Sequence, residues 1–342
     1  MEKEIDISNE EKILVKKEDK SPILFDLLKK INSLPVFSIG SEIMLKAYKY
    51  KLEPTTEQKV LIEKHIGSCR YIYNWALSLK VKSYEETGKS LSQFDINKRI
   101  TSLKVENNWL SEVNSQSLQG MTRNLESAFT RFFREKKGFP NYKSKKNPVQ
   151  SFPVPQHYNA DFENNTIKLP KIGTVKAVLH RAFEGELKTA TVSKTCTGKY
   201  FISILVENNV ELPIKQKFSK ETTVGVDVGI KDFAVLSTEE KIENPKYLKH
   251  SLKRLKVLQK RVSRKQRGSK NRVKAKQRLA VLHEKITNQR NDFQNKLSSK
   301  LISENQAIAL ETLNVKGMQK NHRLAQAIGD SAWSSFVTKL KY

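Results

Sequence analysis

The stretch Val224-Gly225-Val226-Asp227-Val228-Gly229-Ile230-Lys231-Asp232-Phe233-Ala234-Val235-Leu236-Ser237 decides how this chain is read. Two apolar, β-branched runs flank a glycine-containing break, the pattern of a strand, a tight turn and a second strand in a hairpin. Asp227 sits inside the first run. An acid within an apolar strand is costly unless something needs it there. A divalent cation at the strand tips is the usual need. Gly229 permits a tight turn and the close approach of a ligand. A second acid of this kind, Glu311, lies in Ile308-Ala309-Leu310-Glu311-Thr312-Leu313, and no third follows before the sequence reaches Tyr342.

The hairpin has the pattern of an RNase H-like sheet. Between its two acids lies a long helical region with no Asp or Glu from 246 to 278. Leu248, Leu252, Leu255 and Leu258 mark one apolar stripe. Leu279, Leu282, Ile286, Phe293, Leu297 and Leu301 mark another, and Gly268-Ser269 splits the two into a helical hairpin. A basic helix is often only a solvated face. An acid-free run this long repels itself without a counter-anion, so Lys253, Arg254, Lys260, Arg261, Arg264 and Lys265 are candidates for a nucleic-acid groove. A final helical piece is expected over 331–337.

Upstream, 55–137 reads as helical, capped at Thr55 or Thr56. Val60, Leu61, Ile66, Tyr71, Ile72, Trp75, Ala76 and Leu79 recur at helical spacing. So do Leu118, Met121, Leu125, Ala128, Phe129, Phe132 and Phe133, and both stripes read first as core. Arg70, Tyr71, Tyr73 and Asn74 could still face a nucleic acid. Residues 138–222 turn β-like, with strands expected at 189–193 and 200–206. The basic loop holding Lys143, Lys145 and Lys146 is balanced between a solvated loop and phosphate contact. Residues 45–52 read as a strand. Residues 1–43 carry seven Lys against nine Asp and Glu, with a short amphipathic helix at 23–28, and are expected to stand outside the basic core.

The net charge is +27 over 342 residues and the pI is about 9.8, so the expected partner is a polyanion, nucleic acid above all. The two cysteines, Cys69 and Cys196, are far apart and form no Cys-x-x-Cys pair. That excludes a zinc module or disulfide framework built from them and suggests a reducing compartment. No apolar run approaches a membrane span, and the first residues lack a signal core. There is no phosphate-binding glycine loop, nucleophile elbow or His-Glu-x-x-His motif. Metal-dependent phosphodiester chemistry remains, with two carboxylates able to begin a site that ordinarily takes three or more.

The chain resembles the TnpB family, the OrfB-type proteins of bacterial insertion sequences, which are RNA-guided DNA nucleases similar to type V CRISPR effectors. The resemblance runs from about Met44 to Tyr342. It rests on Gly67-Ser68-Cys69-Arg70-Tyr71-Ile72-Tyr73-Asn74, Asn114-Ser115-Gln116-Ser117-Leu118-Gln119 with Asn124-Leu125, and Phe132-Phe133 with Gly138-Phe139-Pro140. It continues through Gly225-Val226-Asp227-Val228-Gly229-Ile230-Lys231-Asp232-Phe233-Ala234, Asn244-Pro245-Lys246-Tyr247, Glu311-Thr312-Leu313 and Asp330-Ser331-Ala332-Trp333.

The resemblance implies an α+β multidomain protein. A wedge-like oligonucleotide-binding barrel would comprise 44–54 and 138–222, interrupted by a helical recognition lobe at 55–137. A RuvC, RNase H-like α/β domain with a basic helical insert would follow at 223–342. Asp227 and Glu311 map to the first two catalytic carboxylates, holding Mg²⁺ or Mn²⁺. Asp232 reads as a turn residue, and Asp330 is not the missing third ligand. The family's zinc ribbon and third catalytic Asp lie beyond the Trp-containing helix, so a C-terminally truncated nuclease domain without zinc is expected. The implied partners are a guide RNA from the transposon end and a double-stranded DNA target, with no membrane. The implied location is the bacterial cytoplasm, on the nucleoid when bound to DNA. The expectation is an RNA-guided DNA endonuclease by ancestry that cuts little or not at all as this chain. The alternative is a non-cleaving RNA- and DNA-binding protein or decayed remnant, and a DNA-joining transposase is a distant third.

Overall fold

The computed structural model describes residues 14–15, 44–208, 219 and 221–341, and the helix expected at 23–28 lies outside them. The chain divides into two compact units. One is Ile39–Leu212; the other contains Leu14–Val15 and the chain from Pro213 onward. Strand β1 (Leu14–Val15) comes first in the chain and belongs to the second unit.

The unit Ile39–Leu212 begins with β2 (Met44–Glu53), α1 (Thr56–Thr87) and α2 (Gln93–Glu106). A 3₁₀ turn at Asn108–Glu112 leads to α3 (Ser115–Arg134). Then come β3 (Val149–Val154), β4 (Asn159–Asp161), β5 (Thr166–Leu169), β6 (Gly173–Val178), β7 (Glu186–Thr195) and β8 (Tyr200–Asn208). The strands form one antiparallel sheet in the order β3-β7-β8-β2-β6-β5-β4. Side-chain alternation sets its inner face: Tyr200, Ile202, Ile204 and Val206 of β8 are buried with Tyr48, Tyr50 and Leu52 of β2. Pro153, which has no N–H to donate, sits in the terminal strand β3.

Helix α1 starts where its cap is written. The Thr55 hydroxyl accepts from the Gln58 N–H, and the Gln58 side chain accepts from the Thr55 N–H in return. Its inward face is Ile62, Ile66, Cys69, Ile72, Ala76 and Leu77; Val60 and Tyr71, expected in the stripe, are exposed. On α3 the stripe Leu118, Met121 and Leu125 is buried, but Phe133 is 72% exposed, so the expected core ends before the helix does.

His65, fully buried on α1, bridges to α3. Its Nδ1 lies 2.8 Å from the Leu61 carbonyl, and its Nε2 accepts from the Asn114 N–H at 3.1 Å. Only a neutral ring can donate at one nitrogen and accept at the other. Desolvation holds the imidazole below its ordinary pKa, opposed by the Leu61 hydrogen bond. With the folded value depressed, the stabilisation is present above the unfolded pKa of about 6.5 and is lost as pH falls below it. Thermal unfolding of the wild type is expected to drop between pH 7.5 and 5.5. In His65→Gln, whose side-chain oxygen can still accept from Asn114, that drop should shrink.

The other unit adds β9 (Thr223–Val228), β10 (Asp232–Leu236), β11 (Lys241–Glu243), α4 (Tyr247–Ser263) and α5 (Lys270–Glu304). It ends with β12 (Ala307–Glu311), α6 (Val315–Met318), α7 (Ala325–Ser331) and α8 (Trp333–Lys341). Its sheet runs β1-β12-β9-β10-β11. The β9–β10 and β10–β11 pairs are antiparallel, and β12 is parallel to β9 across the whole helical insertion. Leu14 and Val15, from the segment expected outside the core, pair in parallel with Leu310 and Glu311.

The second core joins Val224, Val226, Phe233 and Leu236 of the sheet to Leu297 and Leu301 of α5 and to Ile328, Trp333 and Phe336. The Phe233 ring packs edge-on against Phe293 and Phe336, with centroids 5.0 and 5.2 Å away. The helix expected over 331–337 is broken at Ala332, whose φ of 52° ends α7 before Trp333 starts α8. Among the described residues no helix is long and apolar enough to cross a membrane.

Candidate functional site

The register of the sheet brings the two sequence-predicted carboxylates together. Leu310 pairs with Val226 in the parallel β12–β9 ladder. One step further along both strands, Glu311 and Asp227 stand at the same level on the same face, about 4.8 Å apart in strand spacing. Asp227 is exposed and Glu311 half-buried. The β9–β10 turn follows at once. A Cβ on Gly229 would come within 2.9 Å of the Asp232 carbonyl oxygen, so glycine lets the chain double back directly beyond Asp227. Asp232 itself opens β10 opposite Glu243.

The basic helices stand on the same unit as a hairpin, with Leu255 and Leu258 of α4 against Leu282 and Ile286 of α5. Gly268, at φ 84°, turns the chain, and Ser269 caps α5 through the Arg272 N–H. Lys253, Arg254, Lys260, Arg261, Arg264 and Lys265 are all exposed. Among the described residues none of these six has a carboxylate within ion-pair distance.

Asp330 has a role that the sequence reading left unassigned. Helix α4 starts after Lys246 with no side-chain cap of its own. The buried Asp330 carboxylate supplies one from α7, accepting from the Leu248 and Lys249 N–H groups at 2.9 Å each. Beside it, the Asn244 side chain donates to the Ile230 carbonyl and to Ser331 Oγ, and accepts from the Lys246 N–H. The base of the basic hairpin is thus tied to the turn that follows Asp227.

In the Ile39–Leu212 unit the predicted contacts divide. Tyr73 is buried, its hydroxyl pKa raised by desolvation, and Asn74 clamps the Lys143 backbone by donating to its carbonyl (3.0 Å) and accepting from its N–H (2.7 Å). Neither side chain faces outward as expected, because this flank of α1 packs against the loop after α3. Lys143 is an exposed residue, yet its ammonium lies 4.7 Å from the Tyr73 ring centre, where desolvation pulls its pKa down. Arg70 donates to Gln150 at 3.2 Å, and Tyr71 meets Trp109 edge-on at 5.1 Å. Lys145 and Lys146 are exposed.

Asp227 and Glu311 fit one hard cation of the Mg²⁺ type, which takes one or two carboxylates and leaves the rest of its shell to water and phosphate oxygens. Among the described residues no group of three His, Cys, Asp or Glu side chains is placed to hold a metal ion. Cys69 is buried, its thiol pKa pushed well up by desolvation, and Cys196 is exposed.

Residues 203–322 match the OrfB_IS605 family model, described as "Probable transposase", and residues 44–89 match HTH_OrfB_IS605, described as "Helix-turn-helix domain". A protein of Streptomyces pristinaespiralis bearing the name "Putative RNA-guided DNA endonuclease" is 36% identical, over 87% of this chain and 74% of its own length. The chain belongs to the TnpB family. InsQ of Escherichia coli K12, which bears the same description, is 33% identical over 81% of this chain and 68% of its own. Among solved structures, a Cas12f1–sgRNA–target DNA complex gives a TM-score of 0.49 at 12% identity, covering 87% of this chain and 86% of that one. In this TnpB-family chain the segment matched as helix-turn-helix is one strand, β2, and one long helix, α1.

Proposed function

We propose that this TnpB-like transposon protein binds a guide RNA and a double-stranded DNA target, and that its carboxylate unit is an RNase H-like, RuvC-type nuclease domain. The observation that carries this reading is the placement of Asp227 and Glu311 at one level of adjacent parallel strands, with the acid-free hairpin tied to the same turn. The strand order β12-β9-β10-β11, with only β12 parallel to its neighbour β9 in that set, supports the nuclease assignment. The seven-stranded sheet and α1–α3 would serve as the wedge and recognition lobe. The relatives' names support RNA and DNA as partners. Origin of the guide at the transposon end, and a cytoplasmic location, belong to the same proposal.

In this reading Asp227 and Glu311 hold a divalent cation. Such an ion, when bound, sharpens a water nucleophile and stabilises the leaving oxygen of a phosphodiester. The chain's own groups do the rest. The cations of α4 draw the phosphate backbone toward the sheet and set its register. The Asn244 and Asp330 bonds hold the helix base against the Asp227 turn. A second reading is binding without cutting, which the exposed cations of α4 serve equally well.

The test is cleavage of a plasmid library by the protein co-expressed with transposon-end RNA, with Mg²⁺ present or chelated. Metal-dependent cutting supports the nuclease. RNA that co-purifies without cutting supports the binding reading. Neither RNA nor cutting sinks both.

A further inference from the structure

The apolar stripe of α3 continues past the core into a cluster of aromatic rings that, among the described residues, is left partly open. Phe129 lies over the core edge, with the Lys80 ammonium 5.1 Å from its ring centre. Phe133 stacks on Phe129 at 6.3 Å with planes 21° apart, and Phe139 meets Phe129 and Phe132 edge-on at 5.5 and 5.4 Å. Phe133 is 72% exposed, Phe139 48% and Tyr142 59%. The platform is held in place rather than loose. The buried Pro140 and the Asn74 clamp on Lys143 pin the loop carrying Phe139 and Tyr142. Along the segment that bears the rings, residues 130–146 carry Arg131, Arg134, Lys136, Lys137, Lys143, Lys145 and Lys146 against one acid, Glu135.

An exposed aromatic cluster of this kind marks an interaction site. Flat rings on a segment this rich in cations complement a polyanion that also offers flat rings. We propose that Phe133 and Phe139 form a stacking platform for unpaired bases of a single-stranded nucleic acid, with the Arg and Lys of that segment holding its phosphates. This rests on the nucleic-acid reading above and names a contact within it. The bases could come from an unpaired stretch of guide RNA or from a DNA strand displaced from its duplex; both present the same chemistry.

The test uses the full chain and fluorescein-labelled 20-nucleotide oligouridine, oligothymidine and a 20-bp duplex, read by anisotropy. Phe133→Ala removes an exposed ring and should leave the fold intact. It is expected to weaken single-strand binding about tenfold, the loss of roughly one stacked base, while changing duplex binding less than twofold. Phe133→Leu, apolar without a π face, should lose as much. Phe133→Trp should restore binding and show an indole signal quenched by the oligomer. Loss confined to oligouridine supports the platform with RNA as the source; loss confined to oligothymidine supports it with the displaced strand. Unchanged single-strand binding, equal loss on the duplex, or full rescue by Leu would overturn it. So would a wild-type dimer in sedimentation that Phe133→Ala dissolves without changing oligomer binding. None of these readouts needs cleavage, so a chain that binds but does not cut leaves the inference standing.

Discussion

Asp227→Asn is expected to lower metal-dependent DNA cleavage by roughly a thousandfold, the rate equivalent of several kcal/mol of charge stabilisation lost at the reacting phosphate. Guide-RNA affinity should stay within about threefold, because the phosphate-binding cations lie on other elements. A second readout does not depend on activity. Asp227 and Glu311 each follow directly on the paired Val226 and Leu310 of neighbouring strands, and like charges at one level of a sheet are destabilising by about 0.2–1 kcal/mol. Without metal, Asp227→Asn should therefore melt slightly higher than the wild type. With Mg²⁺ the order should reverse, since only the paired carboxylates gain stability from the ion. A variant that still gains the wild-type increment on adding Mg²⁺ would remove Asp227 from the metal site, whatever its cleavage rate.

The carboxylates were legible because they break a rule: an acid in an apolar strand stands out locally. Their meeting was not, since it depends on β12 pairing with β9 across the helical insertion, and no short window of sequence contains both. The helical hairpin was legible from two leucine stripes and the Gly268-Ser269 break. What periodicity could not supply was where a stripe loses its partner. Leu118, Met121 and Leu125 keep the same spacing as Phe129 and Phe133, yet the buried cluster stops short of Phe133. Tyr71 and Tyr73 posed the converse problem. Both look suited to a nucleic acid, and only packing decides that Tyr71 faces out and Tyr73 in.

Asp330 was set outside the metal ligands but given no role of its own, because its cap to α4 acts over a separation of 82 residues. One signal was present. At the start of α4, Asn244-Pro245-Lys246-Tyr247, the one cap-forming side chain, Asn244, accepts from the Lys246 N–H, which leaves the next amides open to an acceptor from elsewhere.

Removing that acceptor should have the largest effect on stability. Asp330→Ala strands two backbone N–H groups at the end of a helix that brings no acid of its own. Lost caps cost about 0.5–2 kcal/mol, and hydrogen bonds to a charged partner about 1.5–3. Water entering at the helix end recovers part of this, so about 2–4 kcal/mol is expected, or a midpoint lower by roughly 6–15 °C. Asp330→Asn keeps one acceptor oxygen and should lose about half as much. The loss should fall on the transition of the unit containing α4, and the His65 unit should melt unchanged. Lys253→Ala, on the exposed face of the same helix, should leave both transitions in place. Capping and ligation also separate here. A cap predicts that Asp330→Asn weakens the fold with or without Mg²⁺ by the same amount. If the variant is as stable as the wild type in chelator and fails only to gain stability from Mg²⁺, Asp330 is a metal ligand after all.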